Sequence, residues 1–234
     1  PLLMFASCEA CGGQVNDAVV GAAAAVELVH TYSLVHDDLP CMDDDTVRRG
    51  QPTVHVAFDE GTAVLVGDAL LTEAFRVLAT LPGSGAVRAR LVEELATAAG
   101  HLGMIGGQAL DLGLGGTPDT TEALLRLHRH KTGALIQWSV RTGGLLAEAD
   151  EPSLAALSEV GETLGLAFQV ADDLRDADQD AGLDGSPSLV EVTGMESTRL
   201  LAHDLRRRAL DAIERLPRPS ALEALARFIV ERDH

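Results

Sequence analysis

Apolar residues recur along this chain at intervals of three and four, the period of a helix with one buried face. Strand-like alternation of β-branched and aromatic residues is nearly absent. The pattern predicts helices over residues 16–38, 61–80, 87–111, 120–148 and 153–178. Two more are expected after the loop "DQDAGLDGSPS", separated at "LPRPS". Asn16 is placed to cap the first of these, "LPGSGA" at 81–86 reads as a turn, and Pro118 and Asp119 mark a new start after "GLGG". Gly161 and Gly165, four apart, offer a seam where another helix can approach closely. No fixed-period repeat or low-complexity tail breaks the series, so the expectation is one all-α domain spanning 1–234. Pro1 falls inside what reads as a helix, so further N-terminal helices are expected.

Composition sharpens this picture. Hydrophobic residues make 46% of the 234 positions but aromatics only 3%, and a core of Ala, Leu, Val and Gly suits close-packed helices. The formal net charge is −18, which argues against nucleic acid or an anionic membrane as partner, since both demand a basic face. "VVGAAAAVELV" is interrupted by Glu27 and too short for a membrane span, so no stable membrane insertion is expected. Three cysteines cannot all pair, which favours a reducing, cytoplasmic setting. Cys8 and Cys11 form a lone C-x-x-C, better explained by small thiols on a packed helix face than by zinc or redox chemistry.

An acidic surface does not explain five aspartates within residues 37–45. On a helix, positions three, four or seven apart share a face, which puts Val26, His30, Ser33 and Asp37 on one stripe. Asp38 follows, and Pro40 forces an irregular turn that can swing Asp43 back beside Asp37. Two carboxylates held together repel, and a hard divalent cation removes that cost. "FQVADDLRDADQD" repeats the theme: Asp172 and Asp176 share a face, with Phe168 one turn earlier and Gln169 alongside. Facing each other, the two clusters would form a magnesium cage open to a polyphosphate, because magnesium shares its coordination with substrate phosphates. Arg48, Arg49 and Lys131 are the candidate phosphate cations. Lys131 is the only lysine beside 17 arginines, so lysine is not this chain's routine surface charge.

"LVHDDLPCMDDDTVRRGQPTVH", "GGQALDL", "LHRHKTGALI" and "GLAFQVADDLRD" occur in this order. Together they resemble the signatures of the trans-isoprenyl diphosphate synthases, the polyprenyl synthetase family, and most closely its bacterial farnesyl-diphosphate-forming branch. The resemblance implies a helical bundle around a deep cavity, in a homodimer. It implies Mg2+-dependent condensation of isopentenyl diphosphate with an allylic diphosphate, with about three ions bound around the substrate diphosphate. Carried over residue by residue, Asp37 and Asp43 would ligate magnesium with Asp38 in support. Asp172 would bind a further ion, with Asp176 acting nearby through water. Arg48, Lys131, Thr132 and Gln169 would hold the allylic diphosphate, and His30 and Arg49 isopentenyl diphosphate. The resemblance also makes Tyr32, five residues before Asp37, an aromatic floor that limits the product to C15.

Two features depart from the family pattern. The family's glycine-lysine-arginine segment is expected before Pro1. The loop after the second acid cluster is short and lacks the family's lysine, with Ser186 or Glu191 near its place. The alternatives are a geranyl or geranylgeranyl diphosphate synthase, a non-catalytic partner subunit and a terpene cyclase. The intact aspartate motifs count against the partner subunit. A cyclase has no use for the isopentenyl diphosphate set of His30 and Arg49. "KTG" at 131–133 lacks the S-x-x-K that a penicillin-recognising enzyme needs.

Overall fold

At the start of six of the described helices a side chain, Asn16, Asp59, Ser84, Thr120, Asp150 or Ser188, accepts from an otherwise orphaned backbone N–H. The computed structural model describes residues 1–178 and 188–230. Helix α1 is Leu2–Ala10, and α2 is Asp17–Asp37, where the Asn16 side chain accepts from the amides of Ala18 and Val19 at 3.0 and 3.2 Å. A short α3, Val54–Ala57, leads to α4, Glu60–Ala79, capped by Asp59 through Thr62 N at 2.7 Å. Helices α5 (Gly85–Ala99) and α6 (Met104–Asp111) replace the single helix expected over 87–111. Gly100–Gly103 breaks it, with the Gly103 backbone lying against the Ala98 carbonyl. The segment expected as one helix over 120–148 is α7 (Thr121–His128), a π-helical turn at Arg129–Gly133 and α8 (Ala134–Leu146). Helix α9 is Glu151–Asp178, and the described residues of the C-terminal part hold three helices rather than two: α10 (Leu189–Thr193), α11 (Met195–Ile213) and α12 (Ser220–Val230).

The other departure from the expected pattern is a small antiparallel hairpin, β1 (Val47–Arg48) with β2 (Gln51–Pro52). Its two-residue turn is Arg49-Gly50, both at positive φ (53° and 76°), the type I′ geometry that matches strand twist.

Helix α2 packs on α4, α8 on α1 and α9, and α9 on α11. The glycine seam on α9 is used as its spacing suggests: a Cβ at Gly161 would meet Gln137 Cα at 2.5 Å, and one at Gly165 would meet Gly133 Cα at 2.7 Å. One core, with Val19, Val29, Leu78, Leu95 and Trp138, fills the space around α2; a second, with Leu157, Leu164 and Ile213, lies between α9 and α11. Cys8 is buried in the first core, and both it and Cys11 are free thiols. The expectation of no span-length apolar segment is corrected: α2 has the length and hydropathy of a membrane-crossing helix, with a mean hydropathy of 1.5. Half of that stretch is buried inside the protein, and the helix ends in the first acid cluster.

Candidate active site

The last turn of α2 delivers Asp37, and the chain then reverses at Leu39–Pro40. Met42 N donates to Leu39 O at 2.9 Å, and Asp43 N donates to the Asp37 carbonyl at 2.9 Å, so Asp43 returns to Asp37. Burial pushes the Asp37 carboxyl up to about 6; Lys131 opposes this, and Asp43 adds to it. Asp43 is raised in the same sense, by burial first, against Lys131 and with Asp111. Such a pair of hard oxygen donors, penalised by burial and by mutual repulsion, fits a divalent cation sharing its shell with phosphate oxygens. Among the described residues no three His, Cys, Asp or Glu side chains already converge as ligands.

Lys131 approaches this pair from the π-helical turn between α7 and α8. Its Nζ pairs with Asp111 at the end of α6. The two segments touch through Gly107, where a Cβ would lie 2.1 Å from Lys131 N and 2.4 Å from Lys131 Cα. Gln108, the next residue, lines the cavity with both ends of its amide buried and without a hydrogen-bond partner among the described residues. Read as sequence, "GGQALDL" gives Gln108 and Asp111 no chemistry of their own. The signal was there: Gly107, Gln108 and Asp111 share one helix face by their spacing of three and four.

Asp38 does a different job from Asp37. It is 4% exposed, and its carboxylate accepts from Arg48 Nε at 2.6 Å; Arg48 Nη2 also reaches Asp45 at 3.2 Å. The guanidinium is thus held in place by two carboxylates. The hairpin turn presents the neighbouring Arg49 toward His30. The His30 imidazole is held below its ordinary pKa, first by partial enclosure, with Glu27 opposing and Arg49 and Arg48 adding to the drop.

A cavity of about 970 Å³ runs alongside α2, near the top of the range for small-molecule sites. The stripe of Val26, His30, Ser33 and Asp37 lines it, an axial length of roughly 16 Å. Lys131, Thr132 and Gln169 border it together with Asp37, while Leu71, Met104, Leu135 and Phe168 supply apolar wall. Tyr32 also lines it, 5% exposed and edge-on to His36 at 5.7 Å. Its hydroxyl has no hydrogen-bond partner among the described residues, and burial, then Asp37, pushes its pKa up to about 12.

The second acid cluster is not part of that lining. Asp172 is half-buried and Asp176 exposed; both face Arg175 of their own helix, at 2.8 and 3.7 Å. They lie three and seven residues beyond Gln169 on α9. Ser186 falls outside the described residues. Glu191 is committed to the capping box of α10, where its side chain accepts from Ser188 N at 3.2 Å, so it is not a free stand-in for the missing lysine.

Comparison with known proteins finds relatives over the whole chain. A farnesyl diphosphate synthase of Escherichia coli K12 is 44% identical over 254 aligned residues, covering 100% of this chain and 84% of its own. An FPP/GFPP synthase of Zymomonas mobilis superposes with a TM-score of 0.89 at 37% identity, covering 97% of this chain and 81% of its own. A geranyltransferase of Helicobacter pylori, solved with magnesium and isoprenyl diphosphate, gives 0.83 at 35% identity, covering 99% and 81%. The polyprenyl synthetase family model matches residues 1–228, and the chain belongs to that family.

Proposed function

We propose that the chain is a prenyltransferase that joins isopentenyl diphosphate head-to-tail to dimethylallyl or geranyl diphosphate, giving farnesyl diphosphate and free diphosphate. The observation that carries this is the placement of half-buried Asp37, with exposed Asp43 folded back beside it, and of the sole lysine where an apolar cavity begins. Asp37 and Asp43, with Asp172 and Asp176 of the second cluster, would hold Mg2+, three ions in all. Held there, the ions would supply positive charge to offset that growing on the departing diphosphate.

The chain's own residues do the rest. Lys131, Thr132, Gln169 and the Asp38-held Arg48 grip the allylic diphosphate and direct its hydrocarbon into the cavity. His30 and Arg49 orient isopentenyl diphosphate beside it. The allylic C–O bond breaks, and both electrons leave with the diphosphate. The alkene of isopentenyl diphosphate forms the new C–C bond, and a proton then departs to the diphosphate. Apolar walls keep water from the cationic carbon during this sequence. No protein nucleophile takes part.

Several relatives are farnesyl diphosphate synthases, and Tyr32, about 7.5 Å along α2 from Asp37, would stop the chain at C15. We infer further that the chain acts as one domain, as a cytoplasmic homodimer. Diphosphate release with each substrate alone and with both tests the reaction class. Release that needs both substrates and Mg2+ supports a synthase. Release from the allylic diphosphate alone, with a cyclised hydrocarbon, refutes it.

A further inference from the structure

The middle aspartate of the second cluster, Asp173, has no assigned role, and its contacts differ from those of its neighbours. Its Oδ2 accepts from the backbone N–H of Leu189 at 2.9 Å and faces Nε2 of His128 at 3.4 Å. The pair is well enclosed, with side-chain exposures of 7% for His128 and 13% for Asp173. Three elements meet at this single oxygen. Asp173 belongs to α9, the helix of Asp172 and Gln169. His128 is the last residue of α7, directly before the π-helical turn that carries Lys131 and Thr132. Leu189 opens α10 and is fully buried among Leu124, Leu166, Val170 and Leu205. His128 Nδ1 is buried without a partner among the described residues, which favours the tautomer with its proton on Nε2, directed at Asp173.

We propose that Asp173 is a positioning residue rather than a magnesium ligand, and that it fixes the Lys131–Thr132 turn against the helix bearing Asp172. A carboxylate that already receives a backbone N–H and an imidazole N–H has its charge compensated by protein. Its contribution to catalysis then passes through His128. That side chain sits three residues before Lys131, in a segment already pressed on Gly107 from one side and on Gly165 from the other. With α6 and α9 closing on this turn, the Asp173–His128 contact sets where along α9 the turn rests. This inference rests on the reaction proposed above, because it predicts which substrate loses affinity.

The test combines kinetics with a measurement that needs neither metal nor substrate. Asp173→Ala and His128→Leu are each expected to raise KM for the allylic diphosphate tenfold or more, with KM for isopentenyl diphosphate within twofold of wild type. The double variant should be no worse than the poorer single one, as expected of two residues acting as a unit. His128→Gln, which keeps a donor near the Nε2 position, should restore most of the loss. In metal-free protein, hydrogen exchange should quicken at 128–134 and 188–194 in Asp173→Ala. A higher Mg2+ requirement in Asp173→Ala, matching Asp172→Ala while His128→Leu is silent, overturns the proposal and makes Asp173 a ligand. A lower Tm with both KM values unchanged also overturns it. If the wild type condenses nothing, the reaction assignment fails, and unchanged exchange at those two segments would separately refute the strut.

Discussion

Replacing Gly107 by Ala should damage catalysis more than any other single-methyl addition at the site. The added Cβ would lie 2.1 Å from Lys131 N, 2.4 Å from Lys131 Cα and 2.8 Å from the His130 carbonyl carbon. All three are backbone atoms, so no side chain can rotate away. Ordinary contact needs ~3.5 Å, so α6 and the π-helical turn must part by roughly 1.4 Å. Overpacking of this kind costs about 1–3 kcal/mol, and for a chain of this size that lowers Tm by roughly 2–12 °C. The functional cost is larger in proportion, because the displaced atoms carry Lys131. A misplacement near 1 Å is worth about 100-fold in rate, so kcat/KM for the allylic diphosphate should fall by ~100-fold. Steady-state kinetics and thermal unfolding by circular dichroism measure the two effects on one preparation. Gly85→Ala is the control: its Cβ would meet only the end of the Arg88 side chain, at 3.6 Å, and should leave both readings unchanged. Gly107→Ala with kcat/KM within threefold of wild type and an unchanged Tm would refute the reasoning that the α6 contact positions Lys131.

Tyr32→Ala should lengthen the product beyond C15, read by mass spectrometry, at a stability cost of about 3–5 kcal/mol for the emptied core site; an unchanged product would discard Tyr32 as the floor. Asp38→Asn weakens the hold on Arg48 and should raise KM for the allylic diphosphate about tenfold, the equivalent of one charged hydrogen bond; an unaffected KM would mean Arg48 is positioned without Asp38. Burial pushes the Cys11 thiol up to about 11, with Cys8 and Asp150 adding to it, and raises Cys8 as well. At pH 8 the thiolate fraction of Cys11 is then ~100-fold below that of an ordinary thiol, so iodoacetamide should label exposed Cys41 first. Because the unfolded thiol ionises near 9.0, the stability that neutral buried Cys11 contributes is present below pH 9 and is lost between pH 9 and about 11. Labelling of Cys11 at pH 8 as fast as that of Cys41 would contradict this burial.

Much of the fold was legible because amphipathic period and capping residues agree. Asn16 stands where α2 begins and Gly161 and Gly165 mark the α8–α9 seam, as their spacing suggests; Asp59 and Ser84, which cap α4 and α5, carry the same kind of signal unread. Periodicity could not see the break at Gly100–Gly103, since Met104 and Gly107 continue the same apolar rhythm. It could not see the π-helical turn either, because one extra residue per turn shifts the pattern by less than a window of eleven resolves. The hairpin at 47–52 is too short to alternate, although the Arg49-Gly50 pair at its turn carries a glycine where positive φ is needed. Within the site, spacing along α2 found Asp37 and His30 because they share one helix. Asp111, Gln108 and Asp173 escaped because their partners, Lys131, the cavity and His128, come from other helices, and no intrahelical period encodes such a meeting. Asp38 was grouped with its acidic neighbour, but burial beside Arg48 separates their jobs.

The central claim is a condensation guided by magnesium and closed at fifteen carbons. Its most direct test is to incubate the protein with isopentenyl and geranyl diphosphates, with Mg2+ or with a chelator, and to weigh the products. The account predicts a C15 diphosphate formed only when Mg2+ is present. No coupled product, or the same yield in chelator, would contradict it.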